Sequence, residues 1–389
     1  MQFAAIGAAA LSLLIWLYLF FFNGHFWQIW IADADGRTVP PLERWPSVMA
    51  IVPARNEAAS IEETVKALAA QNYPGNFSII VVDDHSDDGT RDLARKAAAE
   101  PGTQILVNVL LAPQLVAGWT GKLWALQAGV NATEGNPPDF FWFTDADVIH
   151  GPGTLRRMVS RGEREAFDLT SLMVLLQADT FAEKLLIPPF LYFFLMLYPP
   201  RWIANPKARK AGAAGGCMLL RSSALTRIGG LATIRGEVID DCSLARAVKK
   251  SGGRTWMGLT RKSASLRRYV GFGELRDMIA RTAFTQLNYS VLRLTGTLLG
   301  LLLTFVAPVV LALSTNPKVW LPALLSWCLM SASFLPTVVF YRLSPIWSPF
   351  LPVAAVFYAY ATFLSAVRYW LGRGGQWKGR AQAQKTQAR

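Results

Sequence analysis

The chain has 389 residues, 52% of them hydrophobic and 17% charged, with a net charge of +13. That leaves room for one medium catalytic domain plus membrane segments. Three scattered cysteines, Cys217, Cys242 and Cys328, exclude a disulfide framework and a zinc site and fit a reducing compartment.

Phe3 to Phe22 is an uncharged apolar run of spanning length, followed by an aromatic belt at Phe26, Trp27 and Trp30. It predicts a transmembrane anchor over residues 1–31. A cleaved signal peptide, with Ala32-Asp33-Ala34 as its processing site, fits poorly because the run is long and lacks a basic start. Residues 32–290 then hold nearly all the acidic residues and form the water-facing domain.

Within that domain, Ser47 to Val52 reads as a short buried strand that Pro53-Ala54-Arg55-Asn56-Glu57 breaks into a loop. Ile61, Val65 and Leu68 fall on one helical face, and Asn72 to Gly75 supplies turn residues. Phe77 to Val82 is a second strand, closed by the polar loop Asp83 to Thr90. Strand, helix and strand in alternation predict a parallel sheet, whose ligands bind beyond the carboxyl ends of the strands. Asp84 can accept a hydrogen bond from the imide nitrogen of a pyrimidine. The ordinary role for such a loop is a helix N-cap, which Ser86 or Asp87 would fill.

Gly118-Trp119-Thr120-Gly121-Lys122 leads into a helix carrying Leu123, Leu126 and Val130. A lysine flanked by glycine at a helix start suits a diphosphate, although a surface lysine has the same pattern. Phe140 to His150 reads Phe-Phe-Trp-Phe-Thr-Asp-Ala-Asp-Val-Ile-His. It is a buried strand ending in Asp145 and Asp147, two carboxylates on one face of an extended chain. Such a pair can share Mg²⁺ or Mn²⁺. The alternative is a polar turn after a strand.

The order Val-Pro-x-x-Asn-Glu (Val52 to Glu57), Val-Asp-Asp-x-Ser-x-Asp-Gly-Thr (Val82 to Thr90), Gly-Lys-x-x-Ala-Leu (Gly121 to Leu126) and Asp-x-Asp resembles glycosyltransferase family 2 across the water-facing domain. The resemblance implies an α/β GT-A fold, a Rossmann-like mixed sheet that binds nucleotide sugars, here between N-terminal and C-terminal transmembrane helices. It also implies that Asp84 contacts the base, with Pro53 and Glu57 beside it. Lys122 and Asp145 would lie near ribose and diphosphate, and Asp147 would hold a divalent metal, with Asp145 close by. His150 is either a further ligand or a hydrogen-bonding loop residue.

Ile239-Asp240-Asp241-Cys242-Ser243-Leu244 resembles the family's downstream acidic pair, which makes Asp241 the candidate base, with Asp240 beside it, in an inverting transfer. A helix N-cap aspartate is the alternative, because a helix is predicted from Ser243 to Lys250. Gly212 to Gly216 and Arg221 to Gly230 resemble the family's acceptor-side segment. Of the Gln-x-x-Arg-Trp element of processive synthases only Arg281 stands in Met278-Ile279-Ala280-Arg281-Thr282, so Arg281 is a candidate diphosphate ligand and processive synthesis is not expected.

Leu185 to Ile203, bracketed by Pro188, Pro189, Pro199 and Pro200, is too apolar for a simple loop. A full crossing would separate the metal pair from the base. The segment is read as interfacial or re-entrant, with Tyr192, Tyr198, Arg201 and Trp202 at headgroup level; a buried core helix is the alternative. With Gly-Trp-Thr-Gly-Lys, Phe-Thr-Asp-Ala-Asp-Val-Ile-His and Arg-Thr-Ala-Phe-Thr-Gln-Leu, it resembles the hopene-associated glycosyltransferases, which implies a hopanoid acceptor. Ceramide-type glucosyl transfer is the close rival.

Val291 to Leu313, Val319 to Tyr341 and Pro349 to Leu371 are predicted to span within a membrane region 291–371, and 372–389 forms a basic, structureless tail. The expected partners are a nucleoside-diphosphate sugar, a lipid acceptor and the bilayer. Nucleic acid is not among them, because excess positive charge beside membrane spans fits an anionic leaflet. Nucleotide supply places the catalytic domain in the cytoplasm of a multi-pass protein of the bacterial inner membrane. Three C-terminal crossings would then put the basic tail outside, against the positive-inside rule, so either one stretch is re-entrant or the count differs. The rival functions are a nucleotide-sugar-binding membrane scaffold or sensor without turnover, and a transporter. The scarcity of intramembrane acidic residues weakens the transporter.

Overall fold

The computed structural model describes residues 2–32, 42–100 and 105–374 and the backbone of 376–377 and 380–381; Asp33 and Ala34 of the possible processing site lie outside them. The chain begins with α1 (Gln2–Phe21) and then alternates through β1 (Val48–Ala54), α2 (Ile61–Ala69), β2 (Phe77–Asp83), α3 (Thr90–Ala98), β3 (Leu106–Leu111), α4 (Gly121–Asn131) and β4 (Phe140–Thr144). A second half follows with β5 (Val148–His150), α5 (Thr154–Arg164), β6 (Leu169–Leu175), α6 (Phe181–Leu197), α7 (Pro200–Ala204), β7 (Cys217–Arg221), α8 (Ser222–Arg227), α9 (Asp240–Lys250) and β8 (Thr255–Ser265).

Eight strands form one sheet in the order β3-β2-β1-β4-β7-β6-β8-β5. The neighbours among β1 to β4 pair in parallel, as the alternation predicts. β7 is antiparallel to both β4 and β6, so the sheet is mixed. The reason is the excursion through α6 and α7, which leaves β6 and re-enters β7 at the same end of the sheet. Apolar side chains cover both faces, which is why β4 reads as an unbroken run, Phe-Phe-Trp-Phe-Thr, with all five residues buried. Burial of each of those aromatic side chains contributes about 1.5–3 kcal/mol.

Pro53 differs from expectation, for it lies inside β1 rather than in a loop, opposite Val82 of β2. The ladder from β1 to β4 ends at Ile51 and Phe143, so the missing N–H of Pro53 breaks no pairing on that side.

After β8 come α10 (Phe272–Gln286), α11 (Val291–Leu301) running through a π-helical turn into α12 (Ala307–Leu311), α13 (Pro317–Phe340), the 3₁₀ turn Pro345–Phe350 and α14 (Leu351–Trp370). Among the described residues, four helical stretches are long and apolar enough to cross a membrane: Gln2–Phe21, Val291–Leu311, Pro317–Phe340 and Pro345–Trp370. In the tail, β9 (Gln376–Trp377) and β10 (Arg380–Ala381) pair antiparallel, where a structureless segment was expected.

α6 starts in a capping box, in which Thr180 Oγ1 accepts from Glu183 N–H and the Glu183 carboxylate accepts from Thr180 N–H. Its apolar side chains pack in one cluster with α10, α13 and α14. Tyr192 and Tyr198, expected at headgroup level, are buried instead. The Tyr192 hydroxyl lies 2.7 Å from Ser333 Oγ, and the Tyr198 hydroxyl accepts from Gln286 Nε2 at 2.6 Å. Interior hydroxyl and amide partners satisfy their polar ends, so neither needs water. Arg201 does reach the surface, and its Nη2 donates to Gln28 Oε1.

Candidate functional site

The parallel pairing puts the ends of β1, β2 and β4 on one edge, and with them the loop after Ala54, Asp84 and the Asp145 pair. The first two loops are laced side chain to backbone. Asn56 N–H donates to Ser86 Oγ, Glu57 N–H to Thr90 Oγ1 and Ala58 N–H to Asp88 Oδ2, at 3.0, 2.8 and 2.9 Å. Ser86 therefore serves the neighbouring loop instead of capping a helix. Asp87 is not the cap either, since Gly89, at a left-handed φ of 89°, occupies that position of α3. Asp84 is buried; its N–H donates to Ala54 O at 2.8 Å, and Arg55 reaches its carbonyl and stands 3.9 Å from its carboxylate.

Lys122, in the first turn of α4, joins the two halves of the site. Its Nζ lies 2.8 Å from Asp145 Oδ1 and 3.4 Å from Asp240 Oδ2. Burial works against the Lys122 charge, but Asp145, Asp240 and Asp241 outweigh it and hold the ammonium well above its ordinary pKa. Asp240 and Asp241 open α9, whose N-cap position belongs to Ile239, so neither aspartate takes that position. Asp241 Oδ2 accepts from Gly215 N–H at 2.9 Å, and its Oδ1 accepts from Cys242 N–H at 2.6 Å. Burial and the neighbouring Asp240 charge push the Asp241 pKa up to about 6, against the pull of Lys122 and the two N–H donors.

Glycine at 215 lets the backbone approach Asp241 closely. A Cβ there would stand 3.2 Å from Asp241 Oδ2 and 3.4 Å from Lys122 Nζ. At 216 a Cβ would face Val174, Val148 and, at 3.8 Å, Asp145 Oδ2.

Burial first, then repulsion from Asp145, raises the Asp147 pKa, while Arg267 and Ser265 oppose the rise. Ser265 Oγ lies 3.3 Å from Asp147 Oδ2, and Leu266 N–H donates to Asp147 O at 2.7 Å. Arg267 carries no motif signal and reads in the sequence as surface charge; the bond from Leu266 N–H to Asp147 O brings its segment to Asp147, where its charge lowers the carboxyl pKa. His150 is enclosed, with Nε2 2.7 Å from Thr144 Oγ1 and Nδ1 2.9 Å from Ser263 Oγ. Burial lowers its pKa to about 3, so it is a neutral hydrogen-bonding residue with both nitrogens engaged. Arg281 stands exposed on α10.

Among the described residues no three His, Cys, Asp or Glu side chains are grouped to hold a metal by themselves. Asp145 and Asp147 still fit Mg²⁺ or Mn²⁺ of the kind held by one or two carboxylates plus substrate phosphate and water. The mutual repulsion that raises the Asp147 pKa is what a cation would relieve.

The pattern of the family described as "Glycosyltransferase like family 2" matches residues 46–268. An undecaprenyl-phosphate 4-deoxy-4-formamido-L-arabinose transferase of Aeromonas hydrophila is 30% identical over 139 residues, 35% of this chain and 40% of that protein. A dodecaprenyl-phosphate galacturonate synthase of Rhizobium johnstonii is 33% identical over 121 residues, 31% of this chain and 33% of its own. The chain thus spans less than half the length of these curated relatives. A solved mannosyltransferase from Pyrobaculum calidifontis, in complex with GDP-Man and Mn²⁺, shares the fold at a TM-score of 0.51 and 18% identity, covering 92% of this chain and 99% of its own.

Proposed function

The chain belongs to glycosyltransferase family 2, and on that premise we propose that it moves a sugar from a nucleoside diphosphate, UDP in our reading, to a membrane-lipid hydroxyl with inversion. The observation that carries this reading is the Lys122 ammonium, held between Asp145 on the donor side and Asp240 on the acceptor side. Such a cation, on the edge where α/β sheets bind ligands, would meet the diphosphate. When bound at Asp145 and Asp147, a divalent cation would neutralise charge on the departing nucleoside diphosphate. Arg267 adds positive charge beside the same carboxylates. Asp84, with Pro53 near the end of β1 and Glu57 in the loop that follows, would receive the base, and Arg281 would approach the diphosphate from α10.

Asp241 would take the proton from the acceptor hydroxyl as its oxygen bonds to the anomeric carbon and the bond from that carbon to the diphosphate breaks. A carboxylate with a pKa near 6 is suited to that exchange at neutral pH. The two backbone N–H groups hold it in one orientation.

A base at Asp241 would favour a hydroxyl acceptor, which the motif resemblance implies to be a hopanoid, with ceramide as its rival. The second reading is a polyprenyl phosphate, for which the names of the relatives speak. A phosphate oxygen is already ionised at neutral pH and needs no base. The four apolar helices fit an enzyme that meets its acceptor at the membrane, with the catalytic domain on the cytoplasmic face of the bacterial inner membrane.

The test is UDP release by the detergent-purified chain with UDP-sugars and Mn²⁺ or Mg²⁺, supplied in turn with hopanoid, ceramide or polyprenyl phosphate. Release with a lipid alcohol that Asp241→Asn loses supports the hydroxyl reading. Release only with polyprenyl phosphate, retained by Asp241→Asn, moves the assignment to the second. UDP binding with no release from any pair would favour the sensor.

A further inference from the structure

Two consecutive apolar helices finish at the same end of the molecule, beside the catalytic domain. For α13 the contact is with the sheet itself: Arg261 of β8 donates from Nε to Phe340 O and from Nη2 to Val339 O, each at 2.9 Å. α14 also ends there. Arg368 Nη2 lies 2.6 Å from Asp277 Oδ1, Phe284 N–H donates to Ser365 Oγ at 3.0 Å, and Tyr369 stacks on Tyr289 with ring centroids 4.3 Å apart. The level of these partners is set by Gln286, whose Nε2 donates to the Tyr198 hydroxyl. Tyr198 in turn lies against Gly212, three residues before the Gly215 that holds Asp241.

Helices that cross a bilayer in succession end on alternate sides. The chain between these two shows how they come to end on one side. The 3₁₀ turn Pro345–Phe350 folds back along α13, where Trp327 Nε1 donates to Pro349 O at 3.1 Å and Ser348 Oγ donates to Ser331 O. Ser331 and Trp327 precede Phe340 by 9 and 13 residues, which is roughly 14–20 Å of helix. That is about half of a bilayer core of ~30 Å. At the opposite end of the bundle, Ala9 packs with Val319 and Ala323, and Ala5, Ile6, Leu311 and Ala312 surround them. Among the described residues α14 contributes nothing to that cluster.

We propose that Pro345–Trp370 does not cross the membrane but enters the leaflet on the catalytic side and returns, forming a hairpin with the second half of α13. Its occupied surface is lipid: Ile346, Phe350, Val353 and Val356 are 51–68% exposed and face the acyl chains of that leaflet. Tyr360, Phe363 and Trp370, 43–51% exposed, follow as the helix rises toward the headgroups, where aromatic side chains are favoured. Three segments then cross, and the chain leaves Leu371 on the catalytic side. The basic sequence beyond, with Arg373, Lys378, Arg380, Lys385 and Arg389, obeys the positive-inside rule if that side is the cytoplasm.

The inference stands apart from the transferase reading, and its test reads no activity. Single cysteines are introduced into the full chain carrying Cys328→Ser; Cys217 and Cys242 are buried and stay silent. Asn131→Cys marks the catalytic domain, Thr315→Cys the α12–α13 turn and Arg373→Cys the end of α14, all at exposed positions. Sealed vesicles of both orientations are treated with a membrane-impermeant maleimide. The expected result is that Arg373→Cys reacts from the same side as Asn131→Cys, and Thr315→Cys from the other. Reaction of Arg373→Cys from the side of Thr315→Cys would overturn the proposal. Should Arg373→Cys fail to accumulate, a cysteine appended after Arg389 in the Cys328→Ser chain gives the same readout: labelling from the side of Asn131→Cys supports the hairpin, and labelling from the side of Thr315→Cys overturns it.

Discussion

The two regions that meet at Lys122 are built in different ways. On the donor side, the loops after β1 and β2 are stitched by side chain to backbone bonds between residues about thirty apart, as in Asn56 with Ser86 and Ala58 with Asp88. On the membrane side, α6, α10, α13 and α14 are joined by aromatic packing and isolated polar contacts between residues far apart in the chain. Tyr192 meets Ser333 across 141 positions, and Trp16 Nε1 donates to Thr304 O across 288. The donor region is specified by short polar motifs that name their own partners. The membrane region is held mainly by packing, and removal of any one of its polar contacts is expected to cost little.

Loss of the charged groups at the junction should have the largest effects. Asp147→Ala, or removal of divalent metal with a chelator, is expected to cut UDP release about a thousandfold or more, since a bound cation supplies several kcal/mol to the transition state. Restoration by Mn²⁺ of the chelated wild type but not of the variant is the check. Unchanged release in Asp147→Ala would remove the metal from the donor side.

Asp241→Asn tests the acceptor side of the same junction. A lost general base is expected to lower kcat about 10²–10⁴-fold. A base at Asp241 would work deprotonated, so on this proposal kcat/KM of the wild type should rise with pH through about 6 and level off above it. In Asp241→Asn that limb should vanish.

Lys122→Met leaves Asp145, Asp240 and Asp241 without their shared counter-charge. The cluster is only partly buried, and leaving its carboxylates unpaired should lower Tm along with loss of activity. Gly215→Ala places a methyl against Asp241 Oδ2. Displacement of the Asp241 carboxylate should lower kcat about tenfold. Tyr192→Phe, in the membrane region, removes one buried hydroxyl pair and should cost about 1 kcal/mol in thermal stability, with UDP release intact. A larger loss there would mean that the membrane helices, too, depend on individual polar contacts.

Much of the donor half is legible in the chain because its signals are local. β1, β2 and β4 are buried on both faces, so each reads as a continuous apolar run ending in polar residues. Asp84, Lys122, Asp145 and Asp147 stand where those runs or the following helix begin or end. Parallel pairing does the rest, placing the loops on one edge. The two halves of the lysine–carboxylate cluster are also visible as separate motifs, although nothing in the sequence between Lys122 and Asp240 announces a contact of 3.4 Å.

What the sequence by itself determined is therefore the family, the donor-side strands and loops, the carboxylates and the existence of long apolar helices. The tertiary structure alone decided that β7 runs against its neighbours, that His150 spends both nitrogens on Thr144 and Ser263, that Arg267 stands beside Asp147, and that α6 is covered by other helices. It also decided where α14 ends. Hydropathy measures whether a segment tolerates a bilayer, and Pro345–Trp370 passes that measure by length and composition. Direction and depth come from partners such as Trp327, Asp277 and Tyr289, which no window along the chain contains.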